Sequence, residues 1–148
     1  MIEQLFTLQG KTALITGGGK GIGAMMTQGL IESGADVIIA SRSLETCEAF
    51  AAEMNKLGKG KCTGMTVDLS SVENITAFAE KLSDQVGHLD ILINNSGASW
   101  GAPLEDYPEK GWDKVMDLNV KAVFFLTCLL YTSPSPRDRT RSRMPSSA

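Results

Sequence analysis

Thr16-Gly17-Gly18-Gly19-Lys20-Gly21-Ile22-Gly23 is the stretch that decides how this 148-residue chain folds. Ahead of it stands Thr12-Ala13-Leu14-Ile15, a short run that is β-branched at its end. After it, Ala24-Met25-Met26 through Leu30-Ile31 is apolar at helical spacing. Strand, glycine-rich turn and helix in that order make a cradle for phosphate. Glycine lets the backbone turn sharply and approach an anion with no Cβ in the way. The helix N-terminus then presents free N–H groups and a partial positive charge to that anion. The glycines run G-x-x-x-G-x-G, whereas the general dinucleotide fingerprint is G-x-G-x-x-G. Taken alone, the run also fits a strand–helix turn that holds no ligand.

Working outward, strand and helix patterns alternate. Lys11–Thr16 reads as the first strand and Gly21–Ser33 as the first helix, stopped by Gly34. Asp36–Ala40 is the second strand. Ser43 suits the cap of a helix whose apolar stripe is Leu44, Cys47, Phe50, Ala51, Met54 and Leu57, with Gly58 ending it. Lys61–Val67 is a third strand, imperfect because of Gly64. Ser70 or Ser71 starts a third helix with Val72, Ile75, Phe78, Ala79 and Leu82 on one face, and Glu73, three after Ser70, suits a capping box. Asp90–Ile93 is the fourth strand. A loop with Gly101, Pro103 and Pro108 leads to a fourth helix over Trp112–Thr127.

This alternation predicts an α/β fold with a parallel sheet covered on both faces. Right-handed crossovers place every strand C-terminus on one edge. The turns carrying Gly17–Gly23, Arg42, Asp68 and Asn95–Gly97 therefore converge there, where open α/β sheets hold their ligands.

Bulk composition bounds the rest. The chain is long enough for one domain or part of one, and 43% of its residues are hydrophobic. A net charge of −3 argues against a nucleic-acid partner. No apolar run approaches the ~20 residues of a membrane helix, and the N-terminus lacks the pattern of a signal peptide. Cys47, Cys62 and Cys128 are an odd count without Cys-x-x-Cys, which fits buried thiols in a reducing, cytoplasmic setting. With His88 the one histidine, on a loop, no metal site is expected.

Four motifs in order then carry a resemblance: Thr16-Gly17 through Gly23, Val67-Asp68-Leu69-Ser70 after a strand, Asn94-Asn95-Ser96-Gly97, and Met116-Asp117-Leu118-Asn119-Val120 in a helix. Together they resemble the short-chain dehydrogenase/reductase family over about residues 7 to 127, with Ser96 where the family usually has Ala. The resemblance implies a Rossmann-like, doubly wound parallel sheet, cut off after the fourth strand and its helix. Asp68 would bond the adenine amino group, with Leu69 packing near the ring. Asn95 and Gly97 would line the cofactor's ribose, and Gly17, Gly19, Lys20, Gly21, Ile22 and Gly23 would hold its phosphates. Asn119 would keep a water in a proton relay to a catalytic Lys. The family's catalytic Ser and Tyr-x-x-x-Lys pair lie after the next strand, past the point where the resemblance stops. Tyr131 cannot stand in, because Ser135 lies four residues on.

The choice of cofactor rests on charge. An NAD site expects Asp or Glu at the end of the second strand, where this chain has Ala40-Ser41-Arg42. Arg42 offers a planar fork suited to a 2′-phosphate, and Lys20 adds a second cation. Both point to NADP(H), although either cation also fits an ordinary surface.

The run Ala98-Ser99-Trp100-Gly101-Ala102, with Tyr107-Pro108 and Gly111-Trp112 after it, resembles the 3-oxoacyl reductase branch of the rhamnolipid-biosynthesis type. That implies reduction of a 3-oxoacyl thioester on an acyl carrier or CoA, and a homo-oligomeric parent. Trp100 suits a wall of the substrate pocket and loop packing equally. Sugar, polyol and steroid dehydrogenases share the framework. A non-catalytic nucleotide-binding module and an S-adenosylmethionine methyltransferase are further readings, though the latter wants an acid ending the second strand.

Residues 128–148 change character, with three of the five prolines and four arginines against one aspartate. A disordered basic tail fits this composition. Cys128–Asp138 also resembles a translated sequencing-library adapter, and Ser142–Ala148 its distal end. The expectation is a dinucleotide-binding part over residues 1–127 and a non-native or disordered tail over 128–148 that carries no function.

Overall fold

The computed structural model describes residues 5–132 and forms one four-stranded parallel sheet in the order β3-β2-β1-β4. The strands are β1 (Thr12–Thr16), β2 (Asp36–Ser41), β3 (Cys62–Thr66) and β4 (Ile91–Ile93). The crossover helices are α1 (Gly21–Glu32), α2 (Leu44–Asn55) and α3 (Val72–Gln85). After β4 come a 3-10 turn at Leu104–Asp106, α4 (Glu109–Met116), a π-helical turn at Asp117–Lys121 and α5 (Ala122–Thr132). In register, Leu14 stands between Ile38 of β2 and Leu92 of β4.

The strands are apolar on both faces because both are covered, as parallel sheets require. On one face Leu14, Ile38 and Met65 pack with Ile75, Phe78 and Leu82 of α3 and with Ala122 and Leu126 of α5. On the other, Ile15, Val37 and Ile39 pack with Ile31 of α1 and with Cys47, Ala51 and Met54 of α2. Gly64, the apparent flaw in β3, allows this second layer to close. A Cβ there would stand 2.9 Å from the Cys47 carbonyl carbon and the Glu48 nitrogen. Cys47 and Cys62 are free, buried thiols, and burial pushes the Cys62 thiol up to about 11.

Three local expectations need correction. The cap of α3 is Ser71, whose Oγ accepts from the Asn74 N–H at 3.2 Å, so the Ser70–Glu73 capping box does not form. The Ser70 N–H instead donates to Asp68 Oδ1 at 3.0 Å, which tightens the turn before the helix. The fourth helix begins at Glu109, directly after Pro108, and is broken by the π turn. It also continues through Cys128 to Thr132, past the expected stop at Thr127, because Leu126, Leu129 and Leu130 pack on the α3 side of the core. Residues 133–148, most of the expected tail, lie outside the described residues.

Side chains pin the N-terminal edge of the sheet. Asp90 accepts from Lys11 Nζ at 2.8 Å and from the Thr12 N–H at 2.9 Å, which ties the start of β4 to the start of β1. The Lys11 hydrogen bond, reinforced by that of Thr12, holds the Asp90 carboxyl below its ordinary value. His88 is largely solvated, with Nε2 3.5 Å from the same carboxylate.

Candidate functional site

The opposite edge of the sheet gathers the glycine turn, the ends of β2 and β3 and the loop after β4. Thr16 ends β1 as a buried residue, and its Oγ1 accepts from the Asn95 N–H at 3.1 Å and the Ser96 N–H at 3.0 Å. Asn95 returns the tie, its Nδ2 donating to Thr16 O at 3.0 Å and Gly17 O at 3.2 Å. Thr27, buried in α1, lies with Oγ1 2.9 Å from both Gly18 O and Gly23 O, so one hydroxyl staples the turn to its helix. Two glycines are required by this geometry. Gly17 has φ +68°, and a Cβ on Gly23 would collide with Gly17 O and stand 2.6 Å from Asn95 Nδ2.

α1 differs from the helices beside it. Ser43 and Ser71 cap α2 and α3 with their hydroxyls, whereas Lys20 gives α1 no side-chain cap and its first turn holds no acid. Its leading N–H groups are therefore left for an anion, the expected use of such a terminus. Gly21 and Ile22 lie exposed on that first turn, and Gly19 and Lys20 border the cavity beside it.

Two adjoining cavities share Gly17, Ser41 and Arg42. The smaller, about 230 Å³, is bordered by Lys20, Arg42, Ser43 and Thr46. Neither Lys20 nor Arg42 is in an ion pair among the described residues. The larger, about 650 Å³, runs past Asp68 and Leu69 to Gly97, Ser99 and Leu118. That volume lies in the range of small-molecule sites. The structure thus brings Gly17, Arg42, Asp68, Leu69, Asn95 and Gly97 to the border of one cavity. Leu69 is at the same time part of the core, 8% exposed.

Asn119 meets the loop after β4. Its Oδ1 accepts from the Ala98 N–H and its Nδ2 donates to Ala98 O, both at 2.8 Å. Asn119 is itself exposed, and both bonds to this main chain lie at the surface. Its side-chain amide is committed to clasping the loop after β4, and the π turn that carries it is a feature often found at functional sites. Trp100 resolves toward loop packing, since its ring lies against Gly111 of α4 and does not border the larger cavity. Sequence reasoning gave no site role to Thr16, Thr27, Thr46 or Lys114, and gave Ser43 only that of a helix cap. The hydroxyls carried an available signal, in that Thr16 opens the glycine run and Ser43 and Thr46 follow Arg42 at capping spacing.

Among the described residues no three His, Cys, Asp or Glu side chains gather as a metal site. No helix among them is long and apolar enough to cross a membrane.

This fold recurs in known proteins. A rhamnolipid-biosynthesis 3-oxoacyl-[acyl-carrier-protein] reductase of Pseudomonas aeruginosa is 44% identical over 140 residues, 95% of this chain and 53% of the relative. A 2-dehydro-3-deoxy-D-gluconate 5-dehydrogenase of Escherichia coli is 36% identical over 127 residues, 86% of this chain and 49% of that one. The chain therefore spans about half the length of the curated relatives it matches. Among solved structures, the Pseudomonas aeruginosa RhlG/NADP active-site complex superposes with a TM-score of 0.80 at 46% identity, covering 85% of this chain and 48% of that one. A gluconate 5-dehydrogenase of Burkholderia cenocepacia, solved with NADP and tartrate, gives a TM-score of 0.83 at 30% identity, covering 90% and 52%. The short chain dehydrogenase family model matches residues 11–136, from the start of the first strand past the end of α5, and by that match together with the 3-2-1-4 sheet and its glycine cradle the chain belongs to the short-chain dehydrogenase family.

Proposed function

We propose that this chain is the nucleotide-binding part of an NADP(H)-dependent oxidoreductase whose substrate is a 3-oxoacyl thioester, reduced to the 3-hydroxyacyl form. The observation that carries the cofactor choice is the small cavity between the glycine turn and α2. Lys20 and Arg42 border it, Ser43 and Thr46 add hydroxyls, and no carboxylate ends β2. A 2′-phosphate there meets two cations, where Asp or Glu would repel it. The pyrophosphate fits the uncapped N-terminus of α1, with Gly17–Gly23 beneath it, and the adenine fits beside Asp68 and Leu69 in the larger cavity. When bound, the cofactor supplies the hydride. Gly97 and the loop clasped by Asn119 border the far end of that cavity, and Asn119 is a positioning residue for this loop.

The substrate class rests on the 44% identical reductase and on the Ser99-Trp100-Gly101-Ala102 run. A second reading, oxidation of a sugar acid or polyol, has the gluconate-type relatives in its favour. Neither Tyr107 nor Tyr131 has a Lys four residues on. We therefore assign residues 1–127 to cofactor binding, and expect a homo-oligomeric, cytoplasmic parent to supply the proton-transfer groups.

Titration of the chain with NADPH and NADH tests the cofactor assignment, and tighter NADH binding overturns it. The chemistry is tested with a chimera joining residues 1–127 to the C-terminal half of the Pseudomonas reductase. The chimera is expected to oxidise NADPH with a 3-oxoacyl thioester and the chain alone to show no turnover. Turnover of roughly 1–1000 per second by the chain alone refutes the assignment. Activity of the chimera on gluconate derivatives with NADP⁺, and none on the thioester, selects the second reading.

A further inference from the structure

We propose that Gly111, Trp100 and Lys114 form a latch that positions the lip of the cleft, residues 97–101, and so sets affinity for the half of the dinucleotide beyond the pyrophosphate. The inference rests on the NADP(H) reading above.

Gly111 is the one buried residue of α4. A Cβ there would stand 2.7 Å from Trp100 Cγ and Cδ1 and 2.9 Å from Nε1, so the indole lies directly on helix backbone. Lys114, one turn on, holds Nζ 5.4 Å from the centre of the same ring, within reach of a cation–π attraction. The Tyr107 hydroxyl donates to Trp100 O at 3.5 Å, a long and weak bond. Two residues back, Ala98 is held at both its N–H and its carbonyl by Asn119. The lip is thus anchored twice, at Ala98 to the π turn and at Trp100 to α4, and Ala98 and the intervening Ser99 border the cleft.

Position says which part of the ligand the lip meets. In the order β3-β2-β1-β4, the loop after β4 lies across β1 from Arg42. Open sheets of this kind bind a dinucleotide across the crevice, with one mononucleotide on each side. Lys20 and Arg42 mark the adenosine side, so the lip faces the other nucleotide. Trp100 reaches that nucleotide through Ala98 and Ser99, its own ring being turned onto α4, and it is a positioning residue together with Gly111, while Lys114 both meets the ring and borders the cleft itself.

The test uses the chain in a Trp112→Phe background, where Trp100 is the remaining indole of the two. Affinities are measured for NADPH and for 2′,5′-ADP, which carries the adenosine half with its 2′-phosphate and lacks the second nucleotide. Gly111→Ala is expected to displace the ring, shift Trp100 emission to the red and weaken NADPH about tenfold, about 1.4 kcal/mol, with 2′,5′-ADP affinity unchanged. Trp100→Ala, which removes the ring without crowding the helix, is expected to produce the same split. In the Trp100→Ala background Gly111→Ala adds nothing, because its methyl then has room. Equal weakening of both ligands, unchanged NADPH affinity despite a displaced ring, additive losses in the double variant, or parent NADPH binding no tighter than 2′,5′-ADP each overturns the latch. Failure of the parent to bind 2′,5′-ADP overturns the NADP(H) reading itself, and the latch with it.

Discussion

The two edge strands of the sheet are made of different residues. β3 reads Cys-Thr-Gly-Met-Thr, with Cys62 and Met65 buried and Thr63, Gly64 and Thr66 meeting partial exposure or solvent. β4 reads Ile-Leu-Ile, and all three residues are half-buried. β1, of the same aliphatic character, leaves Ala13, Leu14 and Ile15 with no exposure at all. β3 has the composition of a strand that lives at an edge. β4 has the composition of a strand with neighbours on both sides, yet among the described residues it pairs with β1 alone. The cofactor flank around β1 and β2 is therefore complete as it stands, while the β4 flank presents apolar surface that asks for cover. Phe124 and Val120 on the last helical stretch add to that surface.

Association state should break or confirm this contrast most visibly. An open apolar edge is a template for pairing with another chain. The chain alone is expected to self-associate in size-exclusion chromatography, with β4 amides exchanging faster than those of β1. The chimera with the Pseudomonas C-terminal half is expected to run as one defined species. A monodisperse chain with strongly protected β4 amides would show that β4 is a stable edge after all.

The next largest effect is on core deletions. Leu14→Ala removes a fully enclosed side chain and should cost about 2–5 kcal/mol in urea unfolding. Leu92→Ala, its register partner on β4, deletes the same atoms from a half-open site and should cost less than half as much. Equal losses would mean that the β4 flank is as tightly packed as the β1 flank.

Two substitutions sharpen the comparison at the cleft. On the complete flank, Arg42→Ala should weaken NADP(H) by ~1.5–3 kcal/mol, the scale of a charge-assisted hydrogen bond, and leave NADH nearly unchanged. On the β4 flank, Asn119→Ala removes both bonds to Ala98. It should cost about 1–2 kcal/mol of stability and speed hydrogen exchange in the loop after β4, with β1 unaffected.

The smallest effect is electrostatic. Lys11 and the Thr12 N–H hold the Asp90 carboxyl below its ordinary value. A depressed folded-state pKa gives stability that is present above the unfolded value and lost as pH falls through the folded one. Stability should therefore decline in acid, below about pH 4. Asp90→Asn should flatten that part of the profile and leave the neutral region with a small, salt-sensitive loss.

Much of this was legible before any coordinates. Strand and helix order, the sheet type and the convergence of Gly17, Arg42, Asp68 and Asn95 on one edge follow from periodicity and the handedness of crossovers, which are local properties. The helix caps were half legible. Ser43 declared itself, whereas Ser70 and Ser71 offered two starts, and Asp68 settled the matter by taking the Ser70 N–H. The break at Asp117–Lys121 had no sequence signal, since Val115, Met116, Leu118, Val120, Ala122 and Val123 spread around the helix too broadly for a shift of register to show.

The sequence by itself determined that a glycine-rich turn leading into a helix follows β1 and that Arg42 stands where an NAD site has an acid, because residue type and spacing fix backbone freedom and charge. Only the tertiary structure decided what Asn119, Thr16 and Trp100 do. Each acts on a group distant along the chain, the Ala98 main chain, the Asn95 and Ser96 N–H groups and the Gly111 backbone. A side chain's partner across 11 to 80 positions is chosen by how strands and helices pack, and no local pattern encodes that choice.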